Sequence, residues 1–137
     1  MRSSVFYRIA SVLLVLFAVG HTLGFRRIDP GWKGVDSVVA AMQGAHFDAQ
    51  GFDRTYYDFF VGFGLFVSAL LLLSAAVAWQ MGSLSKEGLA GMTLLRWGFA
   101  LCYAVVTFLS WKFFFVIPIV FSAVITLCLV MASWLSS

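Results

Sequence analysis

Two histidines and a cluster of acidic and phenolic residues are the groups in this chain that could do chemistry, and nearly all lie between Gly20 and Phe60. The stretch reads GHTLGFRRIDPGWKGVDSVVAAMQGAHFDAQGFDRTYYDFF, and every acidic residue except Glu87 falls inside it. His21 stands about one turn inside the end of an apolar run, where an ionisable side chain is costly and is read first as a functional group. Asp58 opens the next apolar run. If the two runs are antiparallel helices, His21 and Asp58 lie at similar depth, and the carboxylate could fix the imidazole tautomer and make it a base or a recognition group. Tyr57 adds a phenol at that level and Arg54 a cation. The competing reading keeps His21 as an imidazole bonded between helices, with Asp58 as a helix cap or a partner of Arg54.

His46 sits two residues from Asp48 but outside the apolar runs. Two histidines and five aspartates around one mouth raise the question of a metal. No HExxH or paired-cysteine spacing is present, and the histidines are far apart in sequence, so the expectation is no metal and no cofactor. Bis-histidine haem would require His46 to fold back into the apolar layer. Cys102 and Cys128 both lie in apolar runs and read as small buried hydrophobes.

The elements that must position these groups follow from composition. The chain has 137 residues, of which 62% are hydrophobic and 11% charged. A soluble domain carries about a quarter charged residues, so this is an integral membrane protein. Its net charge of +3 comes from Lys and Arg scattered at helix ends and loops, without a basic run, which excludes a nucleic-acid partner. Runs of about 20 apolar residues match a hydrocarbon layer roughly 30 Å thick. The expected fold is all-α, a four-helix transmembrane bundle forming a single domain over 1–137. Its spans are placed at about 6–25, 57–79, 92–110 and 113–135.

Within the first run, Ala18-Val19-Gly20 is a passable signal-peptide cleavage site, but apolar residues resume through Phe25, and a retained helix is expected. The polar cap 26–56 begins where Arg26-Arg27 and Pro30-Gly31 stop the first helix. A short interfacial helix is expected at 35–45, with Val35, Val38, Val39 and Met42 on one face. Gln50 to Arg54 reads as a polar turn and 80–91 as a loop. Trp111-Lys112 reads as the turn between spans three and four, and Pro118 as a kink in the fourth. Arg96, near the start of the third span, is expected to snorkel to the interface or to meet an anionic head group. Gly20 with Gly24, and Gly64 with Ser68, are small-residue pairs that suit close helix packing or a homo-oligomer.

GHTLGF at 20–25, HFDAQGFDRTYYDFFVGFGL at 46–65 and Trp79 resemble a family of small, uncharacterised bacterial inner-membrane proteins with four helices. That resemblance covers about the first 80 residues and implies four helices and a bacterial inner membrane, but no activity. A looser architectural likeness links the chain to sterol isomerase and sigma-2-type four-helix domains, which place polar residues in a bundle cavity. The leading functional expectation is binding of a hydrophobic small molecule or lipid at the mouth formed by 21–58. His21, Asp58, Tyr57, Arg54 and His46 are the candidate ligand-binding residues. The alternatives are a membrane enzyme using His21, with Asp58, as general acid or base, and an accessory subunit of a membrane complex with no ligand. Charge counting leans towards termini in the cytoplasm.

Overall fold

The computed structural model describes residues 2–27 and 31–136, without the side chain of Arg2. The expected stop at Ile28 to Pro30 lies outside the described residues. Among the described residues the fold is all-α apart from one small hairpin. In order it forms α1 (Arg2–Gly24), α2 (Val35–Gly44), β1 (His46–Ala49), β2 (Phe52–Thr55), α3 (Tyr56–Met81), α4 (Lys86–Ala90), α5 (Thr93–Phe113) and α6 (Val116–Leu135). Four described segments are long and apolar enough to cross a membrane: Ser3–Gly24, Tyr56–Met81, Thr93–Phe113 and Val116–Leu135. Their exteriors are apolar too, with Leu94 88% exposed and Trp134 70% exposed. Such surfaces suit lipid and would drive aggregation in water. The architecture is that of a multi-pass membrane protein.

The chain groups into two compact units. One is built from Met1–Phe17 and Leu71–Ser137, the other from Ala18–Leu70. In the first unit the largest fully buried apolar side chains are Tyr7, Leu14, Leu89, Ile125 and Leu129, with Ala10, Ala78 and Ala132 letting the backbones approach. Hydroxyls bind the helices to one another. Ser11 donates to the carbonyl of Ala75 at 2.7 Å, Ser4 donates to that of Gly82, and Thr107 meets Thr126 at 3.0 Å. Phe17 stacks on Phe121 with centroids 5.4 Å apart.

Several local expectations change here. Trp111 and Lys112 are helical, and the reversal falls at Phe114 and Phe115, both in extended backbone. Lys112 therefore closes α5, where its charge suits the negative end of the helix dipole. Pro118 occupies the first turn of α6, where no intrahelical donor is lost, so it starts the helix rather than kinking it. Part of the expected 80–91 loop is α4, capped by Ser85, whose hydroxyl accepts from the Gly88 amide. Glu87's own amide, followed by the Ser85 hydroxyl, holds the Glu87 carboxyl below the usual carboxylate range. Cys128 is buried as expected, but Cys102 faces outward.

In the second unit the supposed polar turn is a β-hairpin. Phe47 and Ala49 are half-buried while His46 and Asp48 face outward, the alternation of a half-buried strand. Gln50 and Gly51 both have positive φ, and Ala49 pairs with Phe52, so the two strands join through a two-residue loop. Positive φ at both loop positions is what the favoured tight hairpin turn demands, and Gly51 meets it without strain. Asp48 accepts from the Gly51 amide at 2.7 Å and locks that loop. Phe47 fastens the hairpin to α3, its ring 5.1 Å from Tyr56 and 5.4 Å from Phe59.

Candidate functional site

The site is built where the last turns of α1 meet α3 inside the second unit. His21 Nδ1 lies 3.1 Å from the Ser68 hydroxyl, and the Thr22 hydroxyl reaches the same oxygen at 2.8 Å. Ser68 is buried, while His21 and Thr22 are half-buried. Each hydroxyl also has a backbone acceptor one turn earlier, Ala18 for Thr22 at 2.7 Å and Gly64 for Ser68 at 3.2 Å.

Proton accounting leaves two self-consistent states. In one, Thr22 donates to Ser68, Ser68 donates to Nδ1, and the imidazole carries its proton on Nε2. In the other, Nδ1–H donates to Ser68 and both hydroxyls turn to their backbone carbonyls, leaving Nε2 as a bare acceptor. Either way, Nε2 has no hydrogen-bond partner among the described residues. Exchange between the two requires a proton to leave Nε2 and one to arrive at Nδ1, after which the two hydroxyls rotate to match and no helix moves. The arrangement can therefore present either a donor or an acceptor at one fixed point.

Aromatic rings fix the imidazole laterally. It stacks on Phe25 at 5.2 Å, and Phe25 meets the edge of Phe60 at 5.8 Å. Gly64 makes this possible, because a Cβ there would stand 2.4 Å from the Phe25 ring. The Gly64 and Ser68 pair is thus occupied by Phe25 and Thr22 of the same chain, whereas Gly20 and Gly24 have open space around them.

Asp58 does something else. Its Oδ2 accepts from the Thr55 amide at 2.8 Å and from the Thr55 hydroxyl at 2.9 Å, and its own amide donates to that hydroxyl at 3.1 Å. This is a capping box at the start of α3. Among the described residues no hydrogen bond joins Asp58 to His21. The expected pairing fails because α1 and α3 are staggered: Phe25, just past the end of α1, reaches Phe60 and Gly64 rather than the first residue of α3. That sets His21 level with Ser68, ten positions and about 15 Å along α3 from Asp58.

The remaining candidates also have local duties. Arg54 donates to the Asp53 carbonyl at 2.7 Å and lies over the Phe52 ring, rather than pairing with Asp58. His46 Nδ1 sits 3.0 Å from both carboxylate oxygens of Asp53, across the hairpin, instead of meeting Asp48. Tyr57 packs on Phe60 at 6.2 Å. Among the described residues no three His, Cys, Asp or Glu side chains are grouped to hold a metal ion.

Residue types alone missed Ser68, Thr22, Phe25 and Gly64 as members of the site. The available signal was Thr22 beside His21, together with a small-residue pair on α3 that was legible only as a packing face. Comparison with known protein families, with curated proteins and with solved structures gives no match.

Proposed function

We propose that this chain is a four-helix transmembrane bundle that binds the polar end of a lipid-soluble molecule at His21. The unpartnered Nε2 of His21 carries this reading. Nδ1 is held by Ser68, so the imidazole keeps one orientation and offers one hydrogen bond to a carbonyl or hydroxyl arriving from the apolar side. Phe25 and Phe60 would flank a flat hydrophobic body such as a quinone ring, or a polyisoprenoid chain. In this reading α2, which buries no residue fully, lies in the interface beside the hairpin. A bacterial inner membrane with cytoplasmic termini fits the family resemblance and the dilution of positive charge in the long first connection.

The test is native mass spectrometry of the detergent-purified protein. A discrete bound mass is expected in the wild type, reduced about tenfold in His21→Ala, the scale of one lost hydrogen bond near 1.4 kcal/mol. Ser68→Ala is expected to weaken it less, because the ring loses orientation but keeps Nε2. A bare mass in wild type and variant alike would overturn the proposal.

The hydrogen bond between Ser68 and His21 favours acid–base catalysis on such a molecule as a second reading. Turnover of the bound compound with one ionisation in its pH–rate profile, absent in His21→Ala, would distinguish catalysis from binding. The open space at Gly20 and Gly24 supports an accessory role instead. Partner capture that survives His21→Ala but is lost when both glycines become Leu would favour it.

A further inference from the structure

The first unit contains a second feature, independent of His21. Between α1 and the last turns of α3 runs an apolar furrow of about 650 Å³, lined by Ser11, Val12 and Val15 on one side and Leu72, Ala76 and Trp79 on the other. That volume falls in the roughly 300–1,000 Å³ range of ligand clefts. The hydrogen bond from Ser11 to Ala75 draws the helices together, and the small Ala76 side chain leaves the trough open. Val12, Val15, Leu72 and Trp79 are all 41–52% exposed, so no described residue covers it.

Arg8 stands at one end. It shares a helix face with Ser11, Val12 and Val15, at i, i+3, i+4 and i+7. Its guanidinium is held 4.7 Å over the Trp79 ring. Gly82 accommodates the stem, since a Cβ there would stand 3.1 Å from Arg8 Cγ and 3.3 Å from the Ser4 carbonyl. Arg8 forms no ion pair among the described residues, and the acidic residue nearest in sequence within this unit, Glu87, is engaged at the start of α4. A cation with no counter-ion among the described residues, prepositioned beside an indole at the end of an apolar trough, matches one ligand chemistry: a phosphate attached to a hydrocarbon chain. Arg suits phosphate by its planar fork, and Trp prefers the head-group level. Neither this furrow nor the groove between α3 and α5 lined by Leu73, Val77, Leu94 and Phe99 has a charged residue in its lining; what sets the furrow apart is Arg8, held over its lining residue Trp79.

We propose that this furrow holds one acyl chain of an anionic glycerophospholipid, with its phosphate bound by Arg8 beside Trp79. The full chain is reconstituted in vesicles of equal phosphatidylglycerol and phosphatidylcholine, extracted in mild detergent and weighed by native mass spectrometry. Preferential retention of one phosphatidylglycerol is expected. Arg8→Gln should lower that retention about fivefold, the scale of one basic residue at an anionic surface, and leave phosphatidylcholine unchanged. Ala76→Phe should fill the trough and release both lipids, whereas Lys86→Gln should keep the wild-type ratio. A measurement on the intact wild type guards against a variant that fails to fold. Phosphatidylglycerol brominated along its chain should quench tryptophan emission more than the brominated choline lipid, and Trp79→Phe should erase that difference. Equal retention of the two lipids by the wild type, an Arg8→Gln ratio equal to the wild type's, or equal quenching by both lipids would overturn the proposal.

Discussion

Replacing Arg96 with alanine is expected to destabilise the detergent-solubilised protein by about 2–4 kcal/mol, the largest effect of any single change in the first unit. Rather than snorkelling outward, Arg96 is 3% exposed. Its Nη1 donates to the Ser133 carbonyl at 2.9 Å and its Nη2 to the Thr93 hydroxyl at 3.2 Å, while the Ser133 hydroxyl donates back to the Arg96 carbonyl at 3.2 Å. The first turn of α5 is thus bonded both ways to the last turn of α6. The Ser133 carbonyl also accepts from the Ser136 amide at 3.3 Å, and the end of α6 carries the negative end of the helix dipole, so a buried cation there is compensated without a carboxylate among the described residues. Tyr7 packs fully buried beside Ser133 and Ser136, which brings α1 into the same layer.

Alanine would remove the charge-assisted bonds and open a cavity, two losses that add. Thermal unfolding followed by circular dichroism should show Tm falling by roughly 10 °C. Arg96→Met, which keeps most of the stem volume, should lose about half as much. Lys112→Ala, at an exposed cation over Phe113, should stay within about 0.5 kcal/mol of wild type. If Arg96→Ala melts with the wild type, the guanidinium is not what joins α5 to α6.

Gly64→Leu carries the second large effect, and it acts on the site as well as on stability. A Cβ at this position would meet Phe25 Cε2 at 2.4 Å and Cδ2 at 2.6 Å, so the ring must leave. Overpacking of this kind costs about 1–3 kcal/mol. The consequence reaches further because Phe25 is the ring on which His21 stacks and the ring that meets Phe60. The His21 ring protons should lose their ring-current shift in NMR, and retention of the bound molecule should fall even though His21 and Ser68 are intact. Gly62→Leu, two residues away with open space around it, is the matched control. It should be neutral or slightly stabilising, since glycine inside a helix is unfavourable by about 1 kcal/mol. Equal behaviour of the two variants would show that Phe25 does not depend on Gly64.

Hydropathy alone located the four apolar helices to within a few residues: 6–25 against Arg2–Gly24, 57–79 against Tyr56–Met81, 92–110 against Thr93–Phe113 and 113–135 against Val116–Leu135. It succeeds because a helix must satisfy its own backbone wherever it is surrounded by hydrocarbon, so length and apolarity leave few options. Helix α2 was likewise legible from the i, i+3, i+4, i+7 placing of its valines and Met42. The hairpin at His46–Thr55 escaped because its strands are four residues each, and its half-buried positions are Phe47, Ala49 and Thr55 rather than a run of β-branched residues.

The site was legible in its members only in part. His21 is marked by being ionisable inside an apolar run, and that signal is local. Its partner is not local. Hydropathy gives each span a length but neither an axial offset nor a rotation, and a stagger of two or three turns changes the residue facing His21 from Asp58 to Ser68. Arg96 shows the same division. Its charge near a span end is plain in the sequence, yet whether it bends out to water or turns inward depends on the end of α6 lying opposite. Residue types determined which segments are apolar and which side chains can exchange protons. Only the packing of one helix against another, set by where Gly64 admits Phe25 and where Ser133 meets Arg96, decided which of those side chains share a hydrogen bond.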